Sequence, residues 1–508
     1  MKEPKVLLVY PPNQLMPIET PRPDGSLGPL YLAGALEKVG IQADILDASV
    51  GSSEDDLNDT FYKSIMQPNG LTRIGMSQER ITEFIAKGQY NVIGINSNFT
   101  PQTRMALEVA RAVKNLNPDI LVVAGGVNAR NLPDRFLRDG LVDIICSTEG
   151  ESIFFRIIDS WRNGLSFNDL DGVVYGRNGK YLIKPPKPSS ITTNLDQLPI
   201  PSWEKLPFEK YEKIASPHGA LAATNIRYAP IMTSRGCPFK CSYCHISMER
   251  DFPNDIGNLR LKSVDRVIEE MKVLKSLGVK KIFIEDDSLL AKKARVKQIF
   301  GKLLGMGFSI ADVNGVNLVH FAIKGKGNKL EIDRDYFELL KSAGFDQIVF
   351  PVESASQRIL DKYATGKLNH EKQDVVDLVK IARDVGIICP INMMIGFPDE
   401  TENEMLQTIE LGKKLVDAGA DYCTFFIPIP FPGSHLYNIA IKDGYLNEDF
   451  DPDIMNWKNA VMKNTLVSPE RIVQLRDWAW RTVNTQKHVE RRLKESIGSR
   501  WNSNKDKK

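Results

Sequence analysis

The chain has 508 residues, enough for two or three domains with sizeable cores. Hydrophobic residues make up 42% and charged residues 26%, the balance of an ordinary soluble globular protein. A net charge of +2 offers no bulk attraction to nucleic acid or to a membrane surface, and no apolar stretch approaches the ~18 residues that suggest a membrane span.

In chain order, the opening Met1-Lys2-Glu3-Pro4-Lys5 leads into an apolar run too short for a signal peptide, so the expected location is cytoplasmic. The first 165 residues alternate strand and helix. Val- and Ile-rich runs of strand length fall at 5–10, 43–47, 90–96, 120–124 and 142–146, with helical patterns at 30–39, 103–115 and 153–162 between them. Such alternation predicts an α/β domain over 1–165, a doubly wound, Rossmann-like parallel sheet with helices on both faces. Ligands of open α/β sheets gather outside the carboxyl ends of the strands. Those ends read Pro11-Pro12-Asn13, Ser97-Asn98-Phe99-Thr100, Gly125-Gly126-Val127 and Ser147-Thr148-Glu149-Gly150. Gly and small hydroxyl residues there let a large planar ligand approach the backbone, although turn formation alone also explains them.

Residues 166–224 read as a connector, where Pro185, Pro186, Pro188, Pro199, Pro201 and Pro207 exclude a long regular element. A second alternating series occupies 225–445. Strands are predicted at 230–234, 281–285, 310–314, 347–353, 388–395 and 422–427, and helices at 264–277, 293–304, 334–342, 371–385 and 402–417. Six β-α units suit a partial (β/α)6 barrel of TIM type better than an open sheet, and barrel chemistry sits where strands end and loops begin. Residues 446–508 read as a helical cap in which Trp457, Trp478 and Trp480 serve as core rings. Its last 22 residues hold eight Lys/Arg against three Asp/Glu, as a solvated, frayed basic helix end does.

Half of the six cysteines lie in one loop, Cys237-Pro238-Phe239-Lys240-Cys241-Ser242-Tyr243-Cys244, where the first strand of the second series ends. Thiolates are soft ligands suited to iron–sulfur clusters, zinc and copper(I). Three sulfurs at this spacing fit one face of a four-iron cluster and leave one iron open to a small molecule. Two other readings stay open on spacing alone. Structural zinc needs a fourth ligand, which His245 beside Cys244 supplies poorly. Covalent haem matches Cys241-Ser242-Tyr243-Cys244-His245 but leaves Cys237 without a role. Cys146, Cys389 and Cys423 lie in apolar, strand-like segments, as inert core thiols do, and a cytoplasmic setting keeps them reduced. Later strands on the cysteine face close with Glu285-Asp286-Asp287, Glu353-Ser354 and Gly396-Phe397-Pro398.

Together these residues resemble the radical S-adenosylmethionine (AdoMet) superfamily, whose pattern C-x3-C-x-aromatic-C is met by Cys237, Cys241, Tyr243 and Cys244. The resemblance implies that the three cysteines hold one [4Fe-4S] cluster and that its unique iron binds the amino and carboxylate groups of AdoMet. It implies cofactor contacts from Tyr243, from Glu285 and Asp286 near the methionyl amino group, and from Glu353, Ser354 and Gly396 at ribose- and adenine-facing strand ends. Upstream, residues 28–36, 44–48, 125–129 and 147–151 are similar to the cobalamin-binding domain of cobalamin-dependent radical AdoMet enzymes. That likeness implies contacts from Ser97, Gly125, Gly126, Glu149 and Gly150. Many cobalamin proteins supply a lower cobalt ligand from a D-x-H-x-x-G motif, but no histidine precedes His218, so cobalamin is expected without one from this domain, the alternative being a degenerate domain that binds no corrinoid. His245 and His320 are read as satisfied structural imidazoles.

The implied activity is methylation of an unactivated carbon in a small metabolite or natural-product intermediate held between the two domains. A flavodoxin- or ferredoxin-type partner reduces the cluster, AdoMet yields a 5′-deoxyadenosyl radical, and methylcobalamin supplies the methyl group. A cyclase, deoxygenase or rearrangement enzyme is the alternative within the superfamily, and a non-enzymatic corrinoid or redox carrier is the alternative outside it. Lys324, Lys326 and Lys329 are read as a solvated surface loop, with a phosphonate or phosphate site as the sharper alternative.

Overall fold

The computed structural model describes residues 3–490 except 18, 20–22, 24, 178–179, 215–224, 251–255, 327–328 and 489. Most of the basic tail and the end of the connector thus lie outside the described residues. The described residues fall chiefly into two compact units, one before residue 215 and one running from 225 to 490.

The first unit is built on five parallel strands, β1 (Val6–Tyr10), β2 (Ala43–Asp47), β3 (Val92–Asn96), β4 (Leu121–Gly125) and β5 (Ile144–Cys146), in the order β5-β4-β3-β1-β2. Successive side chains of β1 feed opposite cores, as a pleated strand requires. Leu7 and Val9 join Ile81, Ile85, Val109 and Val113 from helices α1 (Gln78–Gly88) and α2 (Thr103–Leu116). Val6 and Leu8 join Ala33 and Leu36 from the helix Leu27–Glu37, and Ile153 and Ile157 from α3 (Gly150–Arg162). Each such fully buried aliphatic side chain contributes roughly 1.5–3 kcal/mol. From β1 the chain winds outward to β2, and from β3 it winds the other way to β4 and β5, so the order reverses between β1 and β3.

The sheet also reaches into the connector. Strands β6 (Val173–Arg177) and β7 (Lys180–Lys184) add an antiparallel hairpin beside β5. The connector prolines exclude only a long element, and the hairpin ends at Lys184, just before Pro185 and Pro186.

In the second unit, β8 (Tyr228–Ile231), β9 (Lys281–Ile284), β10 (Ser309–Asp312) and β13 (Phe345–Gln347) are parallel neighbours. A second parallel set holds β14 (Phe350–Glu353), β15 (Ile391–Met394) and β16 (Cys423–Phe426). Between β10 and β13 stands a hairpin of β11 (Ala322–Lys324) and β12 (Leu330–Ile332). The strand predicted at 347–353 is split between β13 and β14, and a bridge from Gln347 to Ile388 links the two sets. Helices α4 (Val264–Ser276), α5 (Lys293–Leu303), α6 (Arg334–Ser342), α7 (Val375–Val385) and α8 (Glu402–Ala418) alternate with the strands as predicted. Helix α7 starts later than the sequence suggested because Asp374 caps it, accepting from the N–H groups of Val376 and Asp377.

The C-terminal region is less helical than expected. Its described part holds one long helix, α9 (Pro469–Val483), preceded by loops and the short turn Pro452–Ile454. Asn484 fastens the end of that helix to β16, donating to the carbonyl of Cys423 at 2.9 Å and accepting from its N–H at 2.7 Å. Trp457 packs edge-on against Phe426 at 5.4 Å, in keeping with a packing role, whereas Trp478 is 50% exposed and does not fill the core.

The loop after β15 turns on a buried acid. Glu400 is fully shielded and accepts from the N–H groups of Gly396 (2.7 Å) and Phe397 (3.1 Å). Burial pushes its pKa up from 4.5 to about 8. The folded state therefore keeps a proton that the unfolded chain releases between those values, and stability falls as pH rises through that window. Glu400→Gln keeps the acceptor without the titration. Denaturation midpoints measured across this range should decline less steeply for the variant, by up to a few kcal/mol at about 1.4 kcal/mol per pKa unit.

Candidate functional site

The cysteine loop is fixed from several sides before any cofactor enters. Gly236 turns the chain with φ +80°, and a Cβ there would lie 2.3 Å from the carbonyl oxygen of Asn258, so only glycine fits. Its N–H donates to Asp287 at 2.8 Å, and the N–H of Cys237 donates to the carbonyl of Gly257 at 3.1 Å. Lys240–Cys241 pairs antiparallel with Ala364–Thr365, and the N–H of Ser242 donates to the carbonyl of Tyr363 at 2.8 Å. The Ser247 hydroxyl reaches back to the carbonyls of Cys241 and Cys244, both at 2.8 Å. Burial raises all three thiol pKa values, that of Cys244 to about 12. Metal binding must therefore displace protons from neutral thiols.

Beside the thiols, Tyr243 and Glu353, both expected at the site, form a largely buried trio with Lys367, which the sequence did not reveal. Tyr243 donates to Glu353 at 2.8 Å, and the Lys367 ammonium donates to the same carboxylate oxygen at 2.6 Å. Burial opposes the Lys367 charge, but Glu353 and the neighbouring thiols hold its pKa above the usual lysine range. In return Lys367 favours the thiolate forms of Cys237, Cys241 and Cys244. Glu353 has φ +67°, a left-handed conformation costing a non-glycine residue roughly 1–3 kcal/mol. It closes β14 where the pairing with β15 shifts register.

The remaining predicted residues fall into two groups. Asp286 is buried and committed: it accepts from the Thr233 N–H and from the hydroxyls of Thr233 and Ser234, each at 2.6 Å. The Ser354 hydroxyl is likewise engaged, with Thr408 at 3.2 Å and the N–H of Ser356 at 3.1 Å. Both side chains therefore brace strand ends. Glu285 is half-buried at the end of β9, and Gly396 follows β15 with φ +101°. Phe397 stacks on Tyr363 at 4.3 Å and lies 6.1 Å from the Tyr243 ring, which ties this loop to the cysteine loop. His245 opens the short helix His245–Glu249 and is partnered. His320 departs from the satisfied imidazole expected of it. Its Nε2 is buried with no hydrogen-bond partner among the described residues, and burial pushes its pKa down to about 4.

Zinc needs four ligands on one ion, whereas the corners of a cluster take each sulfur on a different iron. The three thiols, with no fourth cysteine in the loop, suit that second demand.

The first unit offers a separate site. A cavity of about 180 Å³ lies over β3 and β4, beneath the helix Leu27–Glu37 and α3, lined by Gly28, Leu32, Asn96, Asn98, Thr148 and Phe154 among others. Gly125, Gly126 and Gly150 stand in its wall, and Glu151 rather than Glu149 borders it. Gly126 has φ +105°, and a Cβ would lie 2.4 Å from the Ser97 carbonyl oxygen. Ser97 itself accepts from Asn128 at 2.9 Å and is buried behind the wall. Glu149 accepts from the N–H of Thr192 at 3.3 Å. The apolar, backbone-rich wall suits part of a cobalamin, whose whole ring exceeds a cavity of this volume.

Comparison with known proteins gives the same two halves. Residues 231–412 match the Radical SAM superfamily, and residues 25–158 match the B12 binding domain. The chain is 32% identical over 402 residues to the uncharacterized methyltransferase PH0819 of Pyrococcus horikoshii, covering 78% of this chain and 79% of that one. It is 25% identical over 488 residues to the cytidylyl-2-hydroxyethylphosphonate methyltransferase of Streptomyces wedmorensis, covering 90% and 85%. Its fold is similar to that of the radical S-adenosylmethionine methyltransferase TsrM from Kitasatospora setae, solved with cobalamin and a [4Fe-4S] cluster, with TM-score 0.62 at 16% identity over 87% of this chain and 78% of that one. The family's cofactors are a [4Fe-4S] cluster, AdoMet and, through the B12-binding domain, cobalamin. The chain is an enzyme of the radical SAM superfamily, in its cobalamin-binding branch.

Proposed function

We propose that this protein is a cobalamin-dependent C-methyltransferase acting on an unactivated carbon of a small metabolite or natural-product intermediate. The observation that carries the reading is the three-thiol loop braced beside Tyr243, Glu353 and Lys367. Likeness to two methyltransferases over most of the chain supports the methyl-transfer outcome. In this reading 1–165 is the cobalamin domain, 166–224 the connector, 225–445 the radical AdoMet core and 446–508 the C-terminal region.

Cys237, Cys241 and Cys244 would hold the cluster, and Glu285, Glu353 and Gly396 would face AdoMet. When bound, the three cofactors supply hydrogen abstraction by a carbon radical and a transferable methyl group. The chain supplies position and charge. Lys367 balances the negative charge that three thiolates bring into a buried site, and Tyr243 and Glu353 hold Lys367 in place. Gly125, Gly126 and Gly150 keep the wall of the first unit's cavity open for a corrinoid. A flavodoxin- or ferredoxin-type protein is the proposed reductant.

Cys241→Ala should lose cluster iron and nearly all AdoMet cleavage, measured by iron assay and by 5′-deoxyadenosine release after anaerobic reconstitution. Full cleavage by a cluster-free variant would end the proposal. Lys367→Met leaves Glu353 buried without its cation, which costs about 3–5 kcal/mol where such pairs are broken. We expect it to retain some iron and to lose AdoMet cleavage by at least tenfold. Paired release of S-adenosylhomocysteine and 5′-deoxyadenosine marks methyl transfer, and 5′-deoxyadenosine alone marks a cyclase, deoxygenase or rearrangement enzyme instead.

A further inference from the structure

We propose that the lysine-bearing rim beside the cysteine loop is the docking face for the acidic one-electron carrier that reduces the cluster. The inference rests on the radical AdoMet reading and adds to it a place for the reductant.

Lys324, Lys326 and Lys329 are exposed on the β11–β12 hairpin. The N–H of Leu330 donates to the carbonyl of Lys372 at 2.9 Å, which sets the exposed Lys372 alongside. This rim adjoins the cysteine loop by two routes. His320, two residues before β11, packs edge-on against Phe239 with ring centroids 5.6 Å apart. Exposed Lys240 precedes Cys241, and their partner segment Ala364–Thr365 runs on to Lys372. The exposed acids of the same turns are Glu331, Glu371 and Asp374, while Asp333 is occupied by Lys293 at 2.7 Å and Lys297 at 3.5 Å. Five lysines against three exposed acids leave a local excess of two positive charges, three of the lysines and one of the acids lying on the hairpin itself.

A phosphonate or phosphate site is the competing reading of these lysines. Small-molecule sites are concave and bury most of their ligand, which side chains standing in solvent do not do. Exposed lysines do steer an oppositely charged protein surface and speed its encounter. Ile323, 43% exposed between Ala322 and Lys324, adds an apolar contact to the charged rim. An external donor is also needed. Cys146, Cys389 and Cys423 are buried one by one, each in a different strand or loop, and do not pair with one another. The redox step is simple: the carrier is oxidised by one electron, the cluster is reduced by one, and no covalent bond forms or breaks.

The test is anaerobic stopped-flow reduction of the reconstituted protein by two donors, a reduced flavodoxin of net negative charge and uncharged photoreduced deazariboflavin. The triple variant Lys324→Glu, Lys326→Glu, Lys329→Glu should slow reduction by flavodoxin at least about tenfold at low salt. Lys372→Glu should slow it more modestly, and raising salt should slow the unmodified protein. Reduction by deazariboflavin should stay unchanged in every variant. Flavodoxin reducing the triple variant at the original rate overturns the inference, as does equal slowing with both donors. Loss of inorganic phosphate binding with an unchanged flavodoxin rate also overturns it, in favour of an anion site. A protein that assembles no reducible cluster overturns the radical AdoMet reading itself, a result distinct from those.

Discussion

The second unit depends on one buried carboxylate. Glu353 sits in a conformation that costs a non-glycine residue energy, at the irregular end of β14. It accepts from the phenol of the cysteine loop and from the ammonium of Lys367. That arrangement joins the strand end, the thiol loop and the segment after α-helical Gln357–Tyr363 into one rigid patch. It also solves an electrostatic problem. Three thiolates in a shielded site need nearby positive charge, and Lys367 acts on all three. A lysine left alone in that position would favour its neutral form, so the carboxylate keeps the cation charged.

Both candidate sites lie near the carboxyl ends of parallel strands, for the same physical reason. Strand ends release backbone groups and side chains from the ladder just where loops can be shaped. In the first unit the small residues that end β3 and β4 leave a cavity. In the second, Gly236 makes the turn no other residue fits.

Much of this was legible in the sequence. Period and length gave both strand series, because parallel strands buried on two faces read as continuous Val/Ile runs. The C-x3-C-x2-C spacing marked the thiol loop without help from the fold. What escaped notice depended on contacts distant in sequence. Lys367 follows Glu353 through a helix and a turn and carries no motif of its own. Asp286 and Ser354 stand at the predicted strand ends, but hydrogen bonds to Thr233, Ser234 and Thr408 engage their side chains. The β6–β7 hairpin was masked by the prolines that begin right after it. Sequence does not distinguish a paired ring nitrogen from the unpaired Nε2 of His320.

The central claim is that three cysteines hold a four-iron cluster whose remaining iron is open to AdoMet. Electron paramagnetic resonance of the anaerobically reconstituted, one-electron-reduced protein tests it directly, recorded with and without AdoMet. The account predicts a reduced [4Fe-4S] signal that changes in shape when AdoMet is added, because a ligand has reached the open iron. A cluster signal indifferent to saturating AdoMet, or a loop filled by zinc with no cluster signal, would contradict it.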